Sequence, residues 1–165
     1  MRKVPLGTTL AYGMPGLGAG YMYLLMSLYV MKFSTDVLLI APAVMGVIFS
    51  ISRIWDAVSD PIAGYLSDRT TFKFGRRRTW MLISFIPISF GFLAVFSPPE
   101  SMQGQSLDLW MMIAILSFYS AITLLNVPHM ALGAELSEDY HERTRLFGVR
   151  HIGFTLGSPL ALVSK

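Results

Sequence analysis

The chain has no cysteine and very little charge. Of its 165 residues only 14% are Asp, Glu, Lys or Arg, against about 25% in soluble domains. Without cysteine there is no disulfide framework and no thiolate-ligated metal site. The scarcity of charge excludes a disordered chain, which needs the opposite balance. It also excludes a wetted globule, because a compact domain of this composition would expose more apolar surface than soluble monomers tolerate. No nucleophile–base pair, phosphate loop or metal-ligand spacing is found, so no enzyme is expected. What the chain does have is hydrophobic residues, 53% of the total, and a mean hydropathy of +0.55. An all-α polytopic membrane protein remains. At about 20 or more residues per span plus loops, the length holds four helices and part of a fifth.

The few charges are clustered. Val4 to Met31 carries none, and Thr79 to Pro99 carries none. Val37 to Leu66 carries only Arg53, Asp56 and Asp60, and Leu109 to Ala134 has only the ionisable His129. Spans are therefore expected at about 6–31, 40–66, 79–97 and 108–134. Charged loops are expected at 67–78 and 135–150, and a fifth apolar run opens at 151 and stops at 165. With the N-terminus inside, the inner segments hold Arg2, Lys3, Arg69, Lys73, Arg76, Arg77, Arg78, Arg143, Arg145 and Arg150, ten basic residues against one, Lys32, outside. That asymmetry orients the N-terminus to the cytoplasm. The first run is too long for a signal peptide and lacks a small-residue cleavage site. Arg76–Arg78 lies in a short loop between spans, where it orients the protein beside anionic lipid rather than binding nucleic acid.

The first span contains Gly13, Gly16, Gly18 and Gly20 around Pro15. The Gly16/Gly20 pair permits close helix packing; the other reading is a bending helix that lines a moving cavity.

The second span carries the informative chemistry. Arg53, Asp56 and Asp60 are spaced i, i+3, i+7 and share one helical face. Each carboxylate near the bilayer centre costs about 2.5–3.5 kcal/mol on an insertion scale. One arginine cannot neutralise two anions. A bound Na⁺ or Li⁺, or a proton on one aspartate, would satisfy the pair; a structural ion-pair network is the alternative. The fourth span offers Thr123, Asn126 and His129 at spacings of three, with Pro128 among them. Thr123 has a hydroxyl oxygen for a hard cation and Asn126 has both donor and acceptor for a polar solute, although each could instead bond between helices.

Five segments together resemble the glycoside–pentoside–hexuronide:cation symporters of the major facilitator superfamily. They are Ser34-Thr35-Asp36-Val37, Arg53-Ile-Trp-Asp56-Ala-Val-Ser-Asp60-Pro-Ile-Ala-Gly64-Tyr-Leu-Ser-Asp68-Arg69, Gly75-Arg76-Arg77-Arg78, Asn126-Val-Pro128 and Glu135-Leu-Ser-Glu-Asp-Tyr-His-Glu142-Arg143-Thr-Arg145-Leu. The resemblance implies a helix bundle and cation-coupled symport of a sugar or related solute. It places Asp56 and Asp60 on the paired cation-site aspartates and Thr123 on the cation-site threonine. Ser59 stands where a familiar member has asparagine. For the solute it points to Asn126, Gly20 and, less directly, Arg150. Galactoside carriers of the family have aspartates at the first two of these positions, so a galactoside is not expected; pentosides, hexuronides or, as in animal relatives, lysolipids are. Arg53, Asp68, Arg77, Glu135 and Arg143 fall among charges whose ion pairs lock one conformation in such transporters, or simply form solvated loops.

Family members have twelve helices in two halves that rock about the solute. The sequence is accordingly expected to be the N-terminal part of a longer transporter, partnered by the lipid bilayer and by C-terminal helices absent here. No cofactor beyond the coupling cation is expected, and the location would be a bacterial inner membrane. A non-transporting fragment or assembly partner, or a carrier of a lipid-like solute, is the rival expectation.

Overall fold

The computed structural model describes residues 4–73 and 75–163, with side chains as far as residue 160. Arg2 and Lys3, counted above for orientation, and Ser164 and Lys165, the last of the fifth apolar run, lie outside the described residues. The described residues are all-α, without a strand. Helix α1 is Leu6–Leu24; α2 is Pro42–Arg69; α3 is Arg76–Phe96; α4 is Gln105–Leu136; α5 is Tyr140–Val163.

Each of these helices carries a proline in its interior: Pro15, Pro61, Pro87, Pro128 and Pro159. In a soluble helix such a residue breaks one backbone hydrogen bond and costs about 3 kcal/mol. Membrane helices tolerate it because neighbouring groups satisfy the freed carbonyl. Among the described residues two helices are long and apolar enough to cross a membrane, α3 and α4. Helix α2 has 28 residues, but Arg53, Asp56 and Asp60 interrupt its apolar run.

The chain does not leave the helical path at residue 31. It continues through a wide π-turn at Leu25–Tyr29, one α-turn at Val30–Lys32 and a second π-turn at Phe33–Val37. The Thr35 hydroxyl donates back to the Met31 carbonyl at 3.0 Å, the kind of local side-chain bond that competes with the regular ladder. The path ends at Leu39, whose φ of 56° is left-handed. At the other end of the sequence, most of the stretch expected as a loop at 135–150 is helical. Asp139 is the reason. Its Oδ1 accepts from the backbone N–H groups of His141 and Glu142 at 2.8 and 3.2 Å, an N-cap that starts α5 at Tyr140.

The packing divides the chain into two compact units, Met1–Tyr29 with Met130–Lys165, and Val30–His129. In the first, α1 lies against α5 along a seam of small residues. A Cβ at Gly13, Gly16 or Gly20 would collide with Val149, the Arg150 carbonyl or the Phe154 carbonyl, and one at Gly157 with the Leu17 carbonyl. Only glycine allows backbones this close. The Val4 N–H donates to Glu142 Oε2 at 3.0 Å and fastens the start of α1 to α5.

In the second unit α4 is the central helix. Met111, Ile115 and Phe118 are fully buried, at spacings of four and three that form one stripe. Gly91 of α3 admits the Phe118 backbone, since a Cβ there would lie 2.9 Å from Phe118 Cα. Much of the remaining apolar surface is exposed, including Ile54, Val58, Ile62, Phe85, Ile86 and Phe90. Such surface suits lipid and not water.

Candidate cation site between α2 and α4

Two helix faces of the second unit meet around the aspartates. From α2 come Arg53, Trp55, Asp56, Ser59 and Asp60; from α4 come Tyr119, Ser120 and Thr123. The helical period brings Arg53, Asp56 and Asp60 to one face. On α4 the buried stripe turns Thr123 inward, and it is 5% exposed.

The Thr123 hydroxyl donates to Asp60 Oδ1 at 3.0 Å. Arg53 lies 3.5 Å from Asp56 Oδ2 as an i, i+3 ion pair, and its guanidinium sits 5.5 Å from the centre of the Tyr119 ring. The other oxygen, Asp56 Oδ1, is buried and has no hydrogen-bond partner. That atom is the telling one. A buried carboxylate oxygen without a donor costs more than an unmade neutral bond, and it attracts any cation that can reach it.

Ser59 takes a different part. Its hydroxyl is turned toward the Asp56 carbonyl of its own helix at 3.4 Å, as Ser in a helix commonly does. The donor set is thus two carboxylates and the Thr123 hydroxyl, with Ser59 beside them. All are oxygen, the ligand type that hard cations prefer over transition metals. Among the described residues no three His, Cys, Asp or Glu side chains gather to hold a metal ion. One guanidinium stands against two carboxylates on this face.

The residues expected at a solute site are distributed over both units. Asn126 is half-buried on α4 in the second unit. Gly20 and Arg150 belong to the first, where Gly20 faces the Phe154 carbonyl and the Arg150 carbonyl faces Gly16. The Gly16/Gly20 pair is thus used for packing.

Of the charges expected to lock a conformation, Asp68 and Arg77 form a 2.8 Å ion pair, and the Arg77 side chain is nearly buried. Arg76 reaches the Asp68 carbonyl at 3.4 Å, and Trp80 Nε1 donates to Thr70 Oγ1 at 3.0 Å. These bonds, with Gly75 at a left-handed φ of 97°, tie the α2–α3 loop to the start of α3. Arg143 Nε donates to the Ser137 carbonyl at 2.6 Å. Glu135 is exposed near the end of α4. Arg53 is engaged instead with Asp56 of its own helix.

Sequence reasoning missed two contacts here. Trp55 Nε1 donates to Ser120 Oγ at 2.7 Å, and Tyr119 lies under Arg53. Ser120 stands three residues before Thr123, so extending the 123, 126, 129 series back by one turn would have found it.

Comparison with known proteins adds the family. A family described as MFS/sugar transport protein matches residues 11–165. An uncharacterized symporter of Synechocystis sp. is 36% identical over 98% of this chain and 30% of its own length. The inner membrane symporter YicJ of Escherichia coli is 33% identical over 93% of this chain and 33% of its own length. The sodium-dependent lysophosphatidylcholine symporter 1-A of Danio rerio is 33% identical over 67% of this chain and 21% of its own length. The chain therefore spans about a third or less of the length of these relatives.

Proposed function

The chain belongs to the MFS/sugar transport protein family, and from that membership we propose that it takes part in cation-coupled symport of a sugar or related small solute. Asp56 and Asp60 bind the coupling cation, Na⁺, Li⁺ or H⁺, and Thr123 completes the set, with Ser59 adjacent. The observation that carries this reading is the buried, unpartnered Asp56 Oδ1 next to a carboxylate already held by Thr123. A site built only for structural pairing would have matched both anions with donors.

Coupling follows from linkage. A cation that draws α2 and α4 together raises the affinity for a solute held by Asn126 and its neighbours, and the solute raises cation affinity by the same factor. Arg150 is a further solute-site position in this reading, whereas Gly20 is taken up in packing against Phe154. Asp68–Arg77, with Glu135 and Arg143, holds one conformation on the cytoplasmic side. The protein sits in the inner membrane with its N-terminus inside, and it transports without chemical conversion of the solute and without a cofactor.

The relative with a lysophospholipid in its name favours a second reading in which the solute is lipid-like. A panel of radiolabelled pentosides, hexuronides and lysophospholipids, tested in proteoliposomes with and without a Na⁺ or H⁺ gradient, separates the two. Accumulation of one class only when a cation gradient is imposed is the expected result. Equal uptake with and without every gradient would refute cation coupling.

A further inference from the structure

Hydrogen bonds of two kinds connect the face of α2 with the face of α4. The bond from Thr123 to Asp60 involves a carboxylate, so its strength changes whenever that carboxylate gains a proton or a cation. The bond from Trp55 Nε1 to Ser120 Oγ joins two neutral groups and is independent of the state of the site. Its donors and acceptors are consistent along a short chain. The indole N–H donates to the serine oxygen, and the serine hydroxyl donates onward to the Leu116 carbonyl at 2.8 Å. An indole nitrogen can only donate, so this polarity is fixed and Ser120 has one assigned orientation.

The two bonds lie close together. Ser120 and Thr123 are one turn apart on α4, and Trp55 and Asp60 flank Asp56 on α2. A slide of α2 along α4 that separated Trp55 from Ser120 would also withdraw Asp60 from Thr123. Arg53 over the Tyr119 ring adds a third contact at the same crossing, but it is charged and shared with Asp56.

Resting on the reading of this region as a cation site, we propose that Trp55 and Ser120 are a positioning pair: their state-independent hydrogen bond holds the register of α2 against α4 and so sets the affinity for the coupling cation. Neither residue contacts the cation. Interhelical hydrogen bonds in membranes are individually modest, which sets the expected scale.

The test is a Na⁺ titration of the purified protein in nanodiscs, followed by calorimetry at constant ionic strength with choline as the replacement cation, and repeated with Li⁺ and with protons. Trp55→Phe and Ser120→Ala should each weaken cation binding about threefold to twentyfold. The double variant should be no weaker than either single one, because both remove the same bond. Ser120→Thr, which keeps the hydroxyl, should restore the affinity. Thermal unfolding in the absence of cation is measured alongside: a pair that merely stabilised the fold would lower the melting temperature without moving the cation constant. Unchanged cation affinity in both single variants, or additive losses in the double variant, overturns the positioning role while leaving the cation site intact. A wild-type protein that binds none of the three cations overturns the site and the positioning role together.

Discussion

At the scale of single residues the second helix was readable because its chemistry is expensive. Arg53, Asp56 and Asp60 stand in an otherwise apolar run at helical spacing, and no packing requirement explains two like charges on one turn. Thr123 was offered by its spacing with Asn126 and His129 and singled out by the resemblance, since a threonine in an apolar helix also has an ordinary use in bonding between helices. Trp55–Ser120 was not readable. Ser120 continues the 123, 126, 129 series, but nothing in the sequence joins it to Trp55, 65 positions away. The roles of the oxygens make a prediction at this scale. Thr123→Ala removes the donor from Asp60 Oδ1 and should weaken cation binding by roughly tenfold, in line with about 1.5 kcal/mol for a hydrogen bond to a charged group. Thr123→Ser should retain most of it. The same calorimetric titration measures both.

The elements were legible where hydrophobicity alone decides them and less so where local polar groups do. The apolar runs located the cores of α2, α3 and α4. The extension of the first helical path through two π-turns depends on backbone geometry that has no composition signal. The helical start at Tyr140 depends on a single Asp139 cap amid charges that look like a loop. Asp139→Ala should destabilise α5 by about 1 kcal/mol, visible as a lower melting temperature in detergent.

The glycines of α1 separate in the same assay. Gly18 has open space where its Cβ would go, whereas Gly20 meets the Phe154 backbone. Gly18→Ala should therefore stabilise by about 0.5–1 kcal/mol through helix propensity. Gly20→Ala should destabilise by about 1–3 kcal/mol through overpacking against a neighbour that cannot move aside. The Gly16/Gly20 spacing sets Gly20 apart in the sequence, and the facing helix shows that Gly18 has room for a side chain. Leu39, left-handed at 56° and largely exposed, offers a further change: Leu39→Gly removes a steric cost of about 1–2 kcal/mol, partly offset by the freedom glycine gains when unfolded, and should raise the melting temperature.

For the molecule as a whole, the low charge and missing cysteine identified a membrane protein before any helix was located. The all-helical architecture and the interior prolines agree with that class. In the proposed orientation, with the N-terminus in the cytoplasm as the distribution of Lys and Arg suggests, a membrane-impermeant thiol reagent should label a cysteine at Lys73 only after the membrane is opened, and one at Gln103 in intact cells. The reverse pattern would refute the orientation. The proposed coupling belongs to this scale too, because it would link a site on α2 and α4 to movement of solute across the bilayer. The most direct test is solute accumulation against its gradient in proteoliposomes under imposed Na⁺, Li⁺ or H⁺ gradients, comparing the wild-type protein with Asp56→Cys and Asp60→Cys. The account predicts that at least one gradient drives accumulation by the wild type and that none does so in either variant, while some solute binding persists; accumulation by both variants equal to that of the wild type would contradict it.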